Sequence, residues 1–139
     1  MLKILLNQLK PQAEKIIAEE QAGFRPGRST TEQIFNLGIL CEKYLQHQQD
    51  LYHVFIDFKK AFDRNHRRSK TRLSPTFFNI FLEIIMTDAL NDHEGTVSID
   101  GRNITNLRFA GDIDGLAGRE EELSDLVERL DKTSTAFGM

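Results

Sequence analysis

Asn106-Leu107-Arg108-Phe109-Ala110-Gly111-Asp112-Ile113-Asp114-Gly115-Leu116 is the stretch whose reading decides the fold. It reads as two strands meeting at a tight turn, with Asp112 at the turn and Gly111 beside it. A second carboxylate, Asp57, closes another strand-like run, Tyr52-His53-Val54-Phe55-Ile56-Asp57. Two acids raised on the ends of neighbouring strands offer the hard oxygen ligands that magnesium takes. Asp114 lies two residues beyond Asp112 and so on the same strand face, one step further from the turn.

Working outward, Thr96 to Ile99 and Asn103 to Phe109 suggest strands joined through Asp100-Gly101, a hairpin turn pair. Leu51 to Asp57, aromatic and β-branched, suggests a buried strand. Four helices complete the pattern. Leu2 to Ala18 suggests one that is interrupted or kinked at Pro11. Ser29 with Glu32, or Thr30 with Gln33, forms a capping box that opens a second, with Ile34, Leu37, Cys41, Tyr44 and Leu45 at helical spacing. Ser74-Pro75 starts a third, apolar nearly all round through Leu90, which should be the most buried element. Arg119 to Ala136 is amphipathic, with acids in its first turn to suit the helix dipole. The order implies an α+β fold with helices packed on one face of an antiparallel sheet.

Composition narrows the class. At 139 residues the chain is long enough for one domain and one core. The single cysteine, Cys41, excludes an internal disulfide and a cysteine-based zinc site, which fits an intracellular, cytoplasmic or nuclear setting. No apolar run has the length of a membrane span. Charge is uneven: residues 1–82 carry 13 Lys/Arg against 8 Asp/Glu, and residues 83–139 carry 5 against 13. A basic front half could lie along phosphates, or the two halves could simply be differently solvated surfaces.

Four motifs together resemble the reverse transcriptases of non-LTR retrotransposons. Gln21-Ala22-Gly23-Phe24-Arg25-Pro26-Gly27-Arg28-Ser29-Thr30 resembles their fingers-to-palm box. Phe55-Ile56-Asp57-Phe58-Lys59-Lys60-Ala61-Phe62-Asp63 resembles their first palm motif, and Leu73-Ser74-Pro75-Thr76-Phe77-Phe78-Asn79-Ile80-Phe81 the later half of the second. Phe109-Ala110-Gly111-Asp112 resembles the Tyr/Phe-Ala-Asp-Asp box with its first Asp replaced by Gly111.

The resemblance implies a polymerase-palm-like sheet and an ancestral RNA-directed DNA polymerase using two magnesium ions, with RNA template and DNA primer as partners. It implies Asp57 and Asp112 as the remaining catalytic metal ligands. Phe62 would gate the nucleotide sugar, with Phe58 beside it in the nucleotide site. Arg25 and Arg28 would form a nucleic-acid-binding cradle at a helix N-terminus.

Residues 1–50 would be fingers and palm-approach helices and residues 51–139 a shortened palm; primer grip and thumb have no counterpart in the sequence. The family's Gln-Gly before Leu73 is replaced by Ser69-Lys70, and only ten residues separate Asp63 from Ser74, where relatives carry a longer interval. The basic run Arg64-Asn65-His66-Arg67-Arg68-Ser69-Lys70-Thr71-Arg72 therefore reads as a deletion junction and is expected to be an exposed, irregular loop. These departures imply an inactive remnant of the enzyme. A non-catalytic nucleic-acid-binding module and a relic without function are the alternatives.

Overall fold

The computed structural model describes residues 2–58 and 75–138. Phe62 and the basic run from Arg64 to Arg72, with the expectations attached to them, lie outside the described residues.

The chain is α+β, as the element order implies. Helices α1 (Leu2–Ile16) and α2 (Thr30–Gln46) precede strand β1 (Tyr52–Asp57). Helix α3 (Pro75–Ala89) is followed by β2 (Ser98–Ile99), β3 (Arg102–Asn103), β4 (Asn106–Phe109), β5 (Asp112–Ala117) and helix α4 (Glu120–Ala136). The main sheet is antiparallel in the order β1-β5-β4, and β2 and β3 form a separate two-stranded ribbon.

Strand alternation sorts the side chains of β5 onto two faces. Ile113 joins Phe78, Leu82, Met86, Leu126 and Leu130 beneath α3 and α4. Leu116 points the other way and joins Leu40 of α2, Val97 and Leu107 in a second cluster. α3 and α4 therefore cover one face, and α2 lies across part of the other. Seven residues of α3 are buried, against one in α2 and four in α4, so α3 is the best-buried helix. Its apolar surface is not wholly enclosed, since Phe77 and Ile84 remain exposed.

Three local expectations change. The β1 strand is not fully buried: it lies at the sheet edge and alternates between half-buried and exposed residues, with Phe55 72% exposed. The expected strand from Asn103 to Phe109 divides, because Ile104 N–H still bonds Val97 O in the ribbon whereas Thr105 O already accepts from Leu116 N–H. Helix α1 runs through Pro11, which costs one backbone bond and leaves the bonds on either side able to carry the helix.

Ser29 provides the α2 cap, its Oγ accepting from Glu32 N–H at 3.3 Å. Helix α1 is fastened to the sheet through a buried pair. The Arg108 guanidinium lies 3.3 Å from Glu83 Oε2, and the same oxygen accepts Ala18 N–H at 3.0 Å. On the far side Glu122 receives both Thr96 N–H, at 2.8 Å, and the Thr96 hydroxyl, tying α4 to the ribbon. No helix among the described residues is long and apolar enough to cross a membrane.

Candidate metal site at the hairpin turn

Strands β4 and β5 are joined by Ala110 and Gly111 alone, with Phe109 opposite Asp112. Ala110 has φ 57°, whereas Gly111 is not in the left-handed region. That sign pattern belongs to a II′ turn, whose first central position favours glycine. An L-residue there costs roughly 1–2 kcal/mol, so something must hold it.

Gln21 holds it. Its Oε1 accepts Ala110 N–H at 2.8 Å, and its Nε2 donates to Ala110 O at 3.0 Å. The same Oε1 accepts Gly23 N–H at 2.8 Å. Gln21 is 1% exposed, so these bonds are shielded from water. The segment around it runs beside β4, with Arg108 N–H donating to Glu20 O and Ala22 N–H to Arg108 O. Asn79 of α3 closes the arrangement from below, donating to Gly23 O at 2.7 Å. Sequence reading places Gln21 inside a motif but assigns it no task. The available signal was a polar residue next to two small ones, Ala22 and Gly23, which allow close approach to another backbone.

On this frame Asp57 of β1 stands directly opposite Asp112 of β5. Both are exposed, and both line one face of the sheet, at its open end. Phe58 N–H donates to Gly111 O at 3.1 Å, extending the β1–β5 ladder to the turn itself. Two opposed carboxylates fit one magnesium ion that keeps several waters, the usual protein arrangement for that ion. They fall short of a two-ion clamp, because Gly111 offers no ligand. Among the described residues, no group of three His, Cys, Asp or Glu side chains could hold a metal ion.

The structure brings together Asp57 and Asp112 but not Phe58, Arg25 or Arg28 with them. Phe58 is half-buried and packs on the α3–α4 core, the opposite face from Asp57. Arg25 is 8% exposed in its side chain and turned inward: its Nε donates to Glu14 at 2.9 Å, and its Nη1 to Ala18 O at 2.7 Å and to Gln21 O at 3.0 Å. Arg28, half-buried, pairs with Glu32 at 2.8 Å. A phosphate at this helix start would compete with both acids.

Asp114 shares the face of Asp112 and sits opposite Phe55 on one side and Leu107 on the other. Burial pushes its carboxyl above the ordinary carboxylate range, and the nearby His53 only partly offsets this. The native state therefore binds a proton more readily than the unfolded chain, so stability falls as pH rises from 3.8 through the raised value. Asp114→Asn is expected to be more stable than the natural chain at neutral pH by about 1 kcal/mol, because the amide occupies the same space without a buried charge. The difference should vanish in acid. Urea melts of both proteins across that pH range check the sign; equal stability at every pH would contradict it.

No protein-family model matches the chain, and no curated protein does.

Proposed function

We propose that this chain is a reverse-transcriptase-like palm domain that retains a weak magnesium site but has lost templated DNA synthesis. The observation that carries the reading is the direct cross-strand pairing of Asp57 with Asp112 beside a two-residue hairpin turn. The four family-like motifs converge on that spot: Gln21 and Gly23 brace the turn, Asn79 braces Gly23, and Asp57 faces Asp112.

A magnesium ion bound there would draw charge from phosphate oxygens, the main contribution in phosphoryl transfer. The chain's own part is to present two carboxylates on rigid strand ends and to keep the turn fixed. Gly111 leaves the family's shared ligand position without a carboxylate. RNA template and DNA primer are the partners this reading implies; Arg25, turned inward on Glu14, gives little support to a module that merely grips nucleic acid.

Calorimetric magnesium titration and primer extension on a primed RNA template, run on the same preparation, test the proposal. Weak magnesium binding is expected, lost when Asp57 and Asp112 are both changed to Asn, with no extension in magnesium or manganese. Extension that disappears in Asp57→Ala would show the activity intact. Magnesium binding unchanged in the double variant would remove the site.

A further inference from the structure

Between α2 and the sheet runs a groove of about 390 Å³ whose walls include Ile34, Leu37, Phe55, Leu107 and Phe109. That volume lies within the range of small-molecule sites, roughly 300–1,000 Å³. Asp114, on the central strand, lines it as well. We propose that this groove binds a small organic cation, an ammonium or amidinium carried on an aromatic body, with Asp114 as its counter-ion. The proposal does not depend on the palm reading, since it rests on a different carboxylate and on the apolar walls.

Asp114 is the reason to expect a cation. Its side chain is 9% exposed, and neither carboxylate oxygen accepts a hydrogen bond from any described residue. His53 Nδ1 approaches Oδ1 to 3.4 Å, but His53 is 43% exposed at the sheet edge, where water weakens its charge. A buried carboxylate without donors is costly, and a charged donor in the groove would relieve that cost once the Asp114 side chain turns its oxygens, now closed off from solvent, toward the opening.

A second acceptor points to the same chemistry. Gln33, also lining the groove, uses its Nε2 on Glu20 O and Arg108 O, while its Oε1 is buried and accepts nothing from the described residues. Among the described residues, the one cationic residue along the lining, Arg108, directs its guanidinium to Glu83 on the other face. The lining thus carries, among the described residues, more unmet acceptors than donors, which favours a ligand that brings donors and positive charge.

The walls decide the body of that ligand. Leu37, Leu107 and the aromatic rings of Phe55 and Phe109 offer no oxygen to a bare metal ion, but they favour an apolar, aromatic surface and a cation near a ring face. Asp57 and Asp112 at the groove's open end add negative potential that draws a cation in.

Calorimetry with naphthylmethylammonium and with its neutral counterpart naphthylmethanol tests this on the unaltered chain. The ammonium should bind about tenfold more tightly or better, the discrimination expected of a charged hydrogen bond in a dry site. Asp114→Asn should reduce the ammonium to the affinity of the alcohol. Asp57→Asn with Asp112→Asn, which removes the proposed magnesium ligands, should leave most of the preference in place. Equal binding of ammonium and alcohol by the natural chain overturns the proposal, whichever variants fold. So does an ammonium preference that survives Asp114→Asn, or one that is lost only in the double variant. Failure of the magnesium site alone would leave the ammonium result unchanged, so the two readings fail separately.

Discussion

Gly23→Ala is expected to lower the stability of the whole domain by about 3 kcal/mol, at the upper end of overpacking costs. A Cβ built on Gly23 would lie 2.1 Å from Ala110 N, 2.8 Å from Ala110 Cα and 2.9 Å from Phe109 C. All three are backbone atoms, so no side chain can swing aside to make room. The contact is also strained on both sides, because Ala110 and Phe24, next to Gly23, each hold a positive φ against their own preference. Pushing Gly23 away breaks its N–H bond to Gln21 Oε1 and strains the two bonds by which Gln21 holds Ala110. It also pulls Gly23 O off the buried Asn79 amide.

Gly38→Ala is the matched control. It lies in α2 with nothing within 4 Å of the added methyl. There alanine should stabilise by roughly 0.5–1 kcal/mol, the helix preference alone. Urea denaturation of both variants decides it. A Gly23→Ala protein as stable as the natural one would mean that the contact between the Gln21 segment and the turn is not part of the folded state.

Most of the fold was legible because hydrophobic period is a strong signal where a helix or strand packs one face. The α2 cap, the apolar α3 and the β5 strand followed from Ser29, from the run Phe77 to Met86 and from Ile113 to Ala117. Boundaries and burial were harder. The same aromatic and β-branched run that makes β1 a strand cannot say that it will sit at an edge, because edge position depends on which strands pair.

The opposition of Asp57 and Asp112 was legible as well, since each ends or begins a strand and their strands are neighbours. Two features were not. Gln21 acts on a backbone 89 residues away, and no local pattern announces so distant a hydrogen bond. The groove at Asp114 arises only where α2 is laid across the sheet, and its meaning lies in a carboxylate buried without a donor among the described residues. Arg25 shows the converse: a guanidinium between glycines looks like an anion cradle until Glu14 and two carbonyls are found around it.

Gly111→Asp should raise magnesium affinity by about two orders of magnitude and still leave primer extension undetectable. The position accepts a side chain: a Cβ there meets Phe78 Cζ at 3.5 Å and Phe58 O at 3.8 Å, ordinary contact distances, and φ is outside the left-handed region. The variant should therefore fold without moving the turn. It adds a third acid at the turn next to Asp112, its Cβ starting beside Phe78 on the α3–α4 side, so that the carboxylate must swing around the turn to reach Asp57 and Asp112. A further negative charge about 4 Å from a divalent cation contributes about 8 kcal/mol at the effective dielectric of a protein surface, twice the value for two unit charges. Loss of the ion's water shell, repulsion among three neighbouring acids and the reorientation of the new side chain offset most of that, which leaves roughly a hundredfold. Binding is nonetheless a smaller demand than catalysis, because a nucleotide and a primer end must also be held in line and small misplacements are expensive. Ser69 and Lys70 still stand where the resembling family has Gln-Gly, so the added carboxylate restores charge without restoring the nucleotide's seat. Magnesium calorimetry and primer extension on the natural and Gly111→Asp chains separate the two effects. Unchanged magnesium affinity would show that a carboxylate at position 111 does not reach the Asp57–Asp112 site. Robust extension by the variant would show that one missing carboxylate alone had silenced the enzyme, and that the shortened interval before Ser74 matters little to its chemistry.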